Sequence, residues 1–141
     1  MTLPATGRGV PTVGEQLAPY SLTVTLQRLV MEAAANRDFA PIHFDGEAAR
    51  DSGAPSPYMN TTFNETVFEV LLRNWGGLDA RIEVIEFSMK AFNCVGDEIT
   101  AGGCVTATRE GGARLVAELD LWIDGPRGRT VTGSAAVAFP R

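Results

Sequence analysis

Residues 20 to 25, Tyr20-Ser21-Leu22-Thr23-Val24-Thr25, alternate apolar and polar side chains, the two-residue period of a strand with one covered face. The period then lengthens. In Leu26 to Asn36 the residues Leu26, Leu29, Val30 and Ala33 fall on one side of a helix, and the Ala and Glu content favours that state. Pro41 disfavours helical backbone at Ala40, so this helix stops earlier and Asp38 and His43 lie on a loop. Glu47 to Gly53 predicts a short second helix closed by its glycine, and Ala54-Pro55-Ser56-Pro57 a stiff connector. Asn60 to Trp75 is the longest helical pattern, with Phe63, Val67, Val70, Leu71 and Asn74 along its stripe and Trp75 closing it. Thr62 and Glu65 have capping-box spacing, Asn60 is a second candidate cap, and Gly76-Gly77 ends the helix.

After Gly77 the pattern is sheet. Ala80 to Phe87 alternates, with Ile82, Val84 and either Ile85 or Phe87 facing inward. Val95 to Glu98 predicts a turn. Three further strands follow over Ile99 to Thr108, Arg114 to Ile123 and Thr130 to Phe139, separated by Gly-containing turns. One strand, a long helix and then consecutive antiparallel strands predict an α+β domain in which a curved sheet wraps one central helix.

Composition narrows the classes of partner. The length of 141 residues suits one domain with a real core, and 45% apolar with 21% charged residues is ordinary for a globular chain. Residues 1–14, rich in Gly, Pro and Thr, predict a flexible arm, and 15–141 the folded domain. A net charge of −5 with scattered Lys and Arg argues against nucleic acid or an anionic membrane as partner. The two cysteines, Cys94 and Cys104, form no CxxC and have a single histidine for company, so no metal site is expected; a single disulfide is open to them, and two buried free thiols are the favoured reading. The first residues have no apolar core of a secretion signal and no run approaches membrane-spanning length, which makes cytoplasmic the expected location.

That single histidine, His43, follows Asp38 by five residues and precedes Asp45 by two. An Asp and a His converging on a water can take its proton as it attacks and return one to the product. The long helix downstream adds unpaired N–H groups at its positive end, suited to a developing oxyanion on a thioester or ester carbonyl. Other roles are open to the same residues: His43 as a donor to a backbone carbonyl or a partner of Asp45, and Asp45 as cap of the short helix. Serine nucleophile chemistry lacks its G-x-S-x-G motif.

Arg37-Asp38-Phe39-Ala40-Pro41-Ile42-His43-Phe44-Asp45, followed by Ala48-Ala49, Gly53 and the Pro57-led helix entry, resembles the hydratase motif of the MaoC-like (R)-specific enoyl-CoA hydratases. The resemblance runs from about Leu22 to the C-terminus. It implies a hotdog fold, a dimer, and addition of water to a trans-2-enoyl-CoA thioester, with acyl-CoA as substrate and no cofactor. On this resemblance Asp38 and His43 match the catalytic pair, and the Thr61 backbone N–H the oxyanion donor. Asn60, Tyr58 and Phe63 are the candidate substrate-binding residues, although Tyr58, Met59, Phe63 and Phe68 could line either pocket or core. The chain departs from the family pattern at Ala40, where Asn is usual, and at Thr61, where Gly is usual. Asn60 and Asn74-Trp75-Gly76-Gly77 look most like a subgroup, the small subunits of heteromeric actinobacterial hydratases of steroid side-chain CoA esters. The resemblance therefore implies a homodimer or a heteromer with a second MaoC-like subunit. A non-catalytic structural subunit and a hotdog thioesterase are the alternative functions.

Overall fold

A computed structural model describes residues 9–140. The elements run β1 (Tyr20–Thr23), α1 (Leu26–Asn36), a 3-10 turn (Pro41–His43), α2 (Gly46–Asp51), α3 (Thr61–Gly76), β2 (Arg81–Met89), β3 (Glu98–Gly111), β4 (Arg114–Gly125) and β5 (Gly128–Pro140). The five strands form one antiparallel sheet in the order β1-β3-β4-β5-β2. Phe63, Val67, Phe68, Leu71 and Leu72 of α3 share a single core with Ile99, Ala101, Val105, Leu119, Leu121, Ile123, Val131 and Val137 of the sheet. This is the hotdog arrangement, a curved sheet around a central helix. The apolar side chains of α3 and the inward alternates of the strands are removed from water together, which is the main stabilising term of such a domain.

The expected arm lies partly outside the described residues, at residues 1–8. From Gly14 the chain already runs along β3: the Gly14 N–H donates to the Val105 carbonyl (2.8 Å) and Leu17 to Gly103 (2.9 Å). Asn60, rather than Thr62, caps α3, its side chain accepting from the Phe63 N–H, because the helix begins two residues before the capping-box spacing requires. Gly77 follows in positive-φ backbone (82°), and its N–H donates to the Arg73 carbonyl (2.9 Å).

Several expectations differ in detail from what is observed. A bulge between Ile82 and Val84 shifts the alternation of β2, so Ile82, Ile85 and Phe87 pack on the core and Val84 is 45% exposed. On α1 only Leu29 and Ala33 are buried; Leu26 and Val30 stay about half exposed, because the helix touches the body along a narrow strip. Glu98, expected in a turn, opens β3 opposite Thr23. Both cysteines are free thiols, Cys94 buried and Cys104 half-buried. Where β2 and β5 pair, a side chain on Gly133 would strike the Glu86 carbonyl and the Phe87 Cβ (2.8 Å), so only glycine lets these backbones approach.

Candidate active site

The loop after α1, the 3-10 turn and the first turn of α3 meet at one point. Helix α1 ends on Arg37 in left-handed backbone (φ 55°), an uncommon conformation for a residue with a side chain. The N–H groups of Arg37 and Asp38 fold back onto the last carbonyls of α1, Asp38 donating to Ala33 at 2.9 Å. The chain thereby reverses and presents Asp38 to a cavity beside the start of α3.

His43 closes the 3-10 turn that Pro41 opens, and only 7% of it is exposed. Its Nδ1 lies 2.9 Å from the Tyr58 carbonyl oxygen. A carbonyl can only accept, so Nδ1 carries the hydrogen of this bond and Nε2 of the neutral ring is an acceptor. Nε2 faces Asp38 Oδ2 at 3.5 Å. Two acceptors at that separation can share one water through its two hydrogens. The Tyr58 ring stands edge-on to the imidazole, with centroids 5.3 Å apart, and leans on Phe92 at 4.5 Å.

Asn60 joins this pair to the helix. Its Oδ1 accepts from the Phe63 N–H (2.8 Å) and the Thr62 hydroxyl (3.0 Å), while its Nδ2 donates to Asp38 Oδ2 (3.0 Å). The Thr61 N–H belongs to the first turn of α3, where no intrahelical carbonyl can take it. Asp45 caps α2 through its Oδ1, which accepts from the N–H groups of Glu47 and Ala48 (2.9 Å each) and so commits this carboxylate away from His43.

The cavity measures about 490 Å³. Asp38, His43, Tyr58, Asn60 and Thr61 line it together with Met59. Phe63 does not. It points into the main core at 7% exposure, as does Phe68 at 0%, because their helical phase directs them at the sheet. Phe63 therefore packs in the core and does not line the cavity.

The opposite wall comes from residues that sequence reasoning passed over: Asn64 of α3 and Met89-Lys90-Ala91-Phe92-Asn93 at the end of β2. Asn64 carried a signal, an amide on the buried stripe of the helix. Its Nδ2 donates to the Asn60 carbonyl (3.0 Å) and its Oδ1 accepts from Asn93 Nδ2 (3.2 Å). The strand-end segment carried none, since it reaches the site through backbone pairing: Met59 N–H to the Asn93 carbonyl and Val95 N–H to the Pro57 carbonyl, both 2.9 Å. Behind it Asp97, 8% exposed, accepts from the Cys94 N–H (2.9 Å) and from Arg127 Nη2 (2.8 Å). The hydrogen bond and charge of Asp97 raise the Arg127 pKa, which changes nothing near neutrality because an arginine is charged there anyway. Among the described residues no cluster of three His, Cys, Asp or Glu side chains could hold a metal, and no helix is long and apolar enough to cross a membrane.

No family model matches this chain, and no curated protein matches it. Solved structures do. The chain in the ChsH1-ChsH2 complex from Mycobacterium tuberculosis superposes with a TM-score of 0.86 at 23% identity, over 92% of this chain and 99% of that one. A MaoC-like dehydratase from Rhodospirillum rubrum gives 0.79 at 22% identity, over 93% and 94%. The (R)-hydratase from A. caviae involved in PHA biosynthesis gives 0.82 at 30% identity, over 92% of this chain and 98% of that one. Sequence identity at that level over nearly the whole of both chains, on a shared fold, places this chain in the MaoC-like (R)-hydratase family.

Proposed function

We propose that this protein is the hydratase subunit of an enzyme that adds water across the double bond of a trans-2-enoyl-CoA thioester. The observation that carries the reading is the pair of acceptors, Asp38 Oδ2 and His43 Nε2, 3.5 Å apart on the wall of a cavity that begins at the N-terminus of α3. A water held between them offers its oxygen lone pair to C3 of the enoyl group. As the C3–O bond forms, one water proton passes to the pair, the double-bond electrons move toward the thioester, and a proton is delivered to C2. The Thr61 N–H meets the charge that develops on the thioester oxygen. The sum is water plus enoyl thioester to 3-hydroxyacyl thioester, a balance that calls for no redox partner or cofactor.

The acyl group is read as bulky. Ile42, Met59, Met89 and Phe92 give the cavity apolar walls, and methionine adapts to irregular shapes. The resemblance to small subunits of steroid side-chain hydratases points the same way. The protein is read as working with a second MaoC-like subunit or a second copy of itself, in keeping with its likeness to a chain solved within a two-component complex. A cytoplasmic location goes with CoA thioester chemistry.

The test incubates the purified chain, alone and with a candidate MaoC-like partner, with enoyl-CoA esters from short acyl to steroid, following loss of the enoyl-thioester absorbance. Hydrated product from at least one ester is the expected result. No turnover in either arrangement would leave a structural subunit as the better reading. Free CoA without hydrated product would indicate a thioesterase.

A further inference from the structure

We infer that Asn60 is the positioning residue of this site: its one side-chain amide fixes the Asp38 carboxylate against His43 and at the same time caps the helix whose start faces the thioester. The orientation of that amide is not free. Backbone N–H groups only donate, so the atom 2.8 Å from the Phe63 N–H must be the oxygen, and the NH2 end must be the one 3.0 Å from Asp38 Oδ2. The residue is 6% exposed, and its own carbonyl is engaged by the Asn64 N–H (3.2 Å) and Asn64 Nδ2 (3.0 Å), which stops the backbone from shifting.

Asp38 needs this restraint. Its side chain is 38% exposed, and among the described residues its other oxygen meets only the Ala40 N–H, at a long 3.4 Å. Ala40 has no side chain able to reach the carboxylate. The Asn60 donor engages Oδ2, the oxygen that faces His43 Nε2. Without it the carboxylate can turn to solvent, and the pair that holds the water is lost while both members remain. Misplacement of a catalytic group by a fraction of its reach costs rate far more than affinity. The same amide also sets the helix start, so base and oxyanion donor are tied to one point and cannot drift apart.

Three variants separate positioning from folding. N60S keeps a good helix cap and removes the donor that reaches Asp38. N60D keeps the shape and the cap oxygen but replaces the donor with a second carboxylate beside Asp38. N60A removes cap and donor together, and its melting temperature gives the folding cost against which the other two are read. The expected kinetic result, which rests on the hydratase reading, is a kcat lowered about 10- to 100-fold in N60S and further in N60D, with KM within about threefold. The melting temperatures of N60S and N60D stay above that of N60A.

A second readout is independent of turnover. His43 is the only histidine of the chain, so its ring 15N signals are assigned without ambiguity. D38N shifts those signals in the wild-type background, and the shift shrinks at least about twofold in the N60S background if Asn60 holds the carboxylate in place. An equal D38N shift in both backgrounds overturns the inference, as does wild-type kcat in N60S and N60D. Failure of every enoyl ester to react would remove the hydratase reading and leave the ring-signal comparison to decide on Asn60.

Discussion

The body of sheet and central helix and the segment from Arg37 to Asn60 are built on opposite terms. In the body, large apolar side chains from both layers interlock: Phe68, Leu71, Ile99 and Ile123 have no measurable exposure. The segment buries only His43, Ala49, Ala54, Pro57, Met59 and Asn60, while Phe39 is 66% and Phe44 37% exposed. It is held by directed bonds instead, chiefly His43 to the Tyr58 carbonyl, Asn60 to Asp38 and the Asp45 cap. Burial tolerates small shifts and so suits stability, whereas hydrogen bonds fix distance and so suit chemistry. The fold thus rests on one region and the proposed chemistry on the other.

The sharpest test of that division removes the chemistry alone. Asp38→Asn and His43→Ala should each lower kcat about 10²- to 10⁴-fold, the usual contribution of a positioned acid–base group. Melting temperature should change by only a few degrees, since neither side chain belongs to the main core. Steady-state kinetics beside thermal melts read both quantities. Loss of the folded state in either variant would show that the segment supports the body after all. The converse change is Phe68→Ala, which should cost about 3–5 kcal/mol of stability through lost burial and a cavity. In denaturant titration the midpoint falls, while kcat per folded molecule stays near wild type.

The same division decides what could be read from the chain. Periodicity is a property of a covered face, so α1, α3 and the strands were legible. Where a face failed the reason is local: the bulge after Ile82 turned Val84 outward, and α1 touches the body along too narrow a strip to bury Leu26 or Val30. Within the segment, Asp45 was legible as a cap because capping acts over three residues. The particular hydrogen-bond partners of His43 Nδ1 and of Asn60 Nδ2 were not. One is a backbone carbonyl fifteen residues away, which any residue type supplies, and the other pairing spans twenty-two residues with no periodic trace. That Phe63 faces the core and not the cavity was illegible for a related reason: being near the site in sequence says nothing of which way a helix turns a side chain.

The Asp45 cap lies between the two regimes. Asp45→Ala removes an oxygen that accepts from two N–H groups at the start of a six-residue helix, at a cost of about 1 kcal/mol. Because α2 packs against the 3-10 turn that carries His43, the loosening should reach the site as a fall in kcat of about two- to fivefold, the size set by that cost. Hydrogen exchange of the α2 amides should rise while those of β3 to β5 stay protected. An unchanged kcat would mean that the His43 bond to Tyr58 suffices without support from α2.

The smallest effect belongs to the body's surface. Arg129 pairs with Asp124 across the β4–β5 hairpin at 2.9 Å and lies 4.8 Å over the Trp122 ring. Both charged side chains are nearly half exposed, so water and salt screen the pair and Arg129→Ala should cost less than about 1 kcal/mol. The bond to Asp124 raises the Arg129 pKa. A raised folded value contributes stability that is complete below the unfolded pKa and is lost only as pH rises through the folded one. Both lie far above neutrality for arginine, so the difference between wild type and variant should stay flat from about pH 5 to 9. It should shrink as salt is added. Denaturant midpoints at several pH and salt values measure this directly. A loss of several kcal/mol, or any change in kcat, would show that polar contacts in the body carry weight that the comparison assigns to the segment alone.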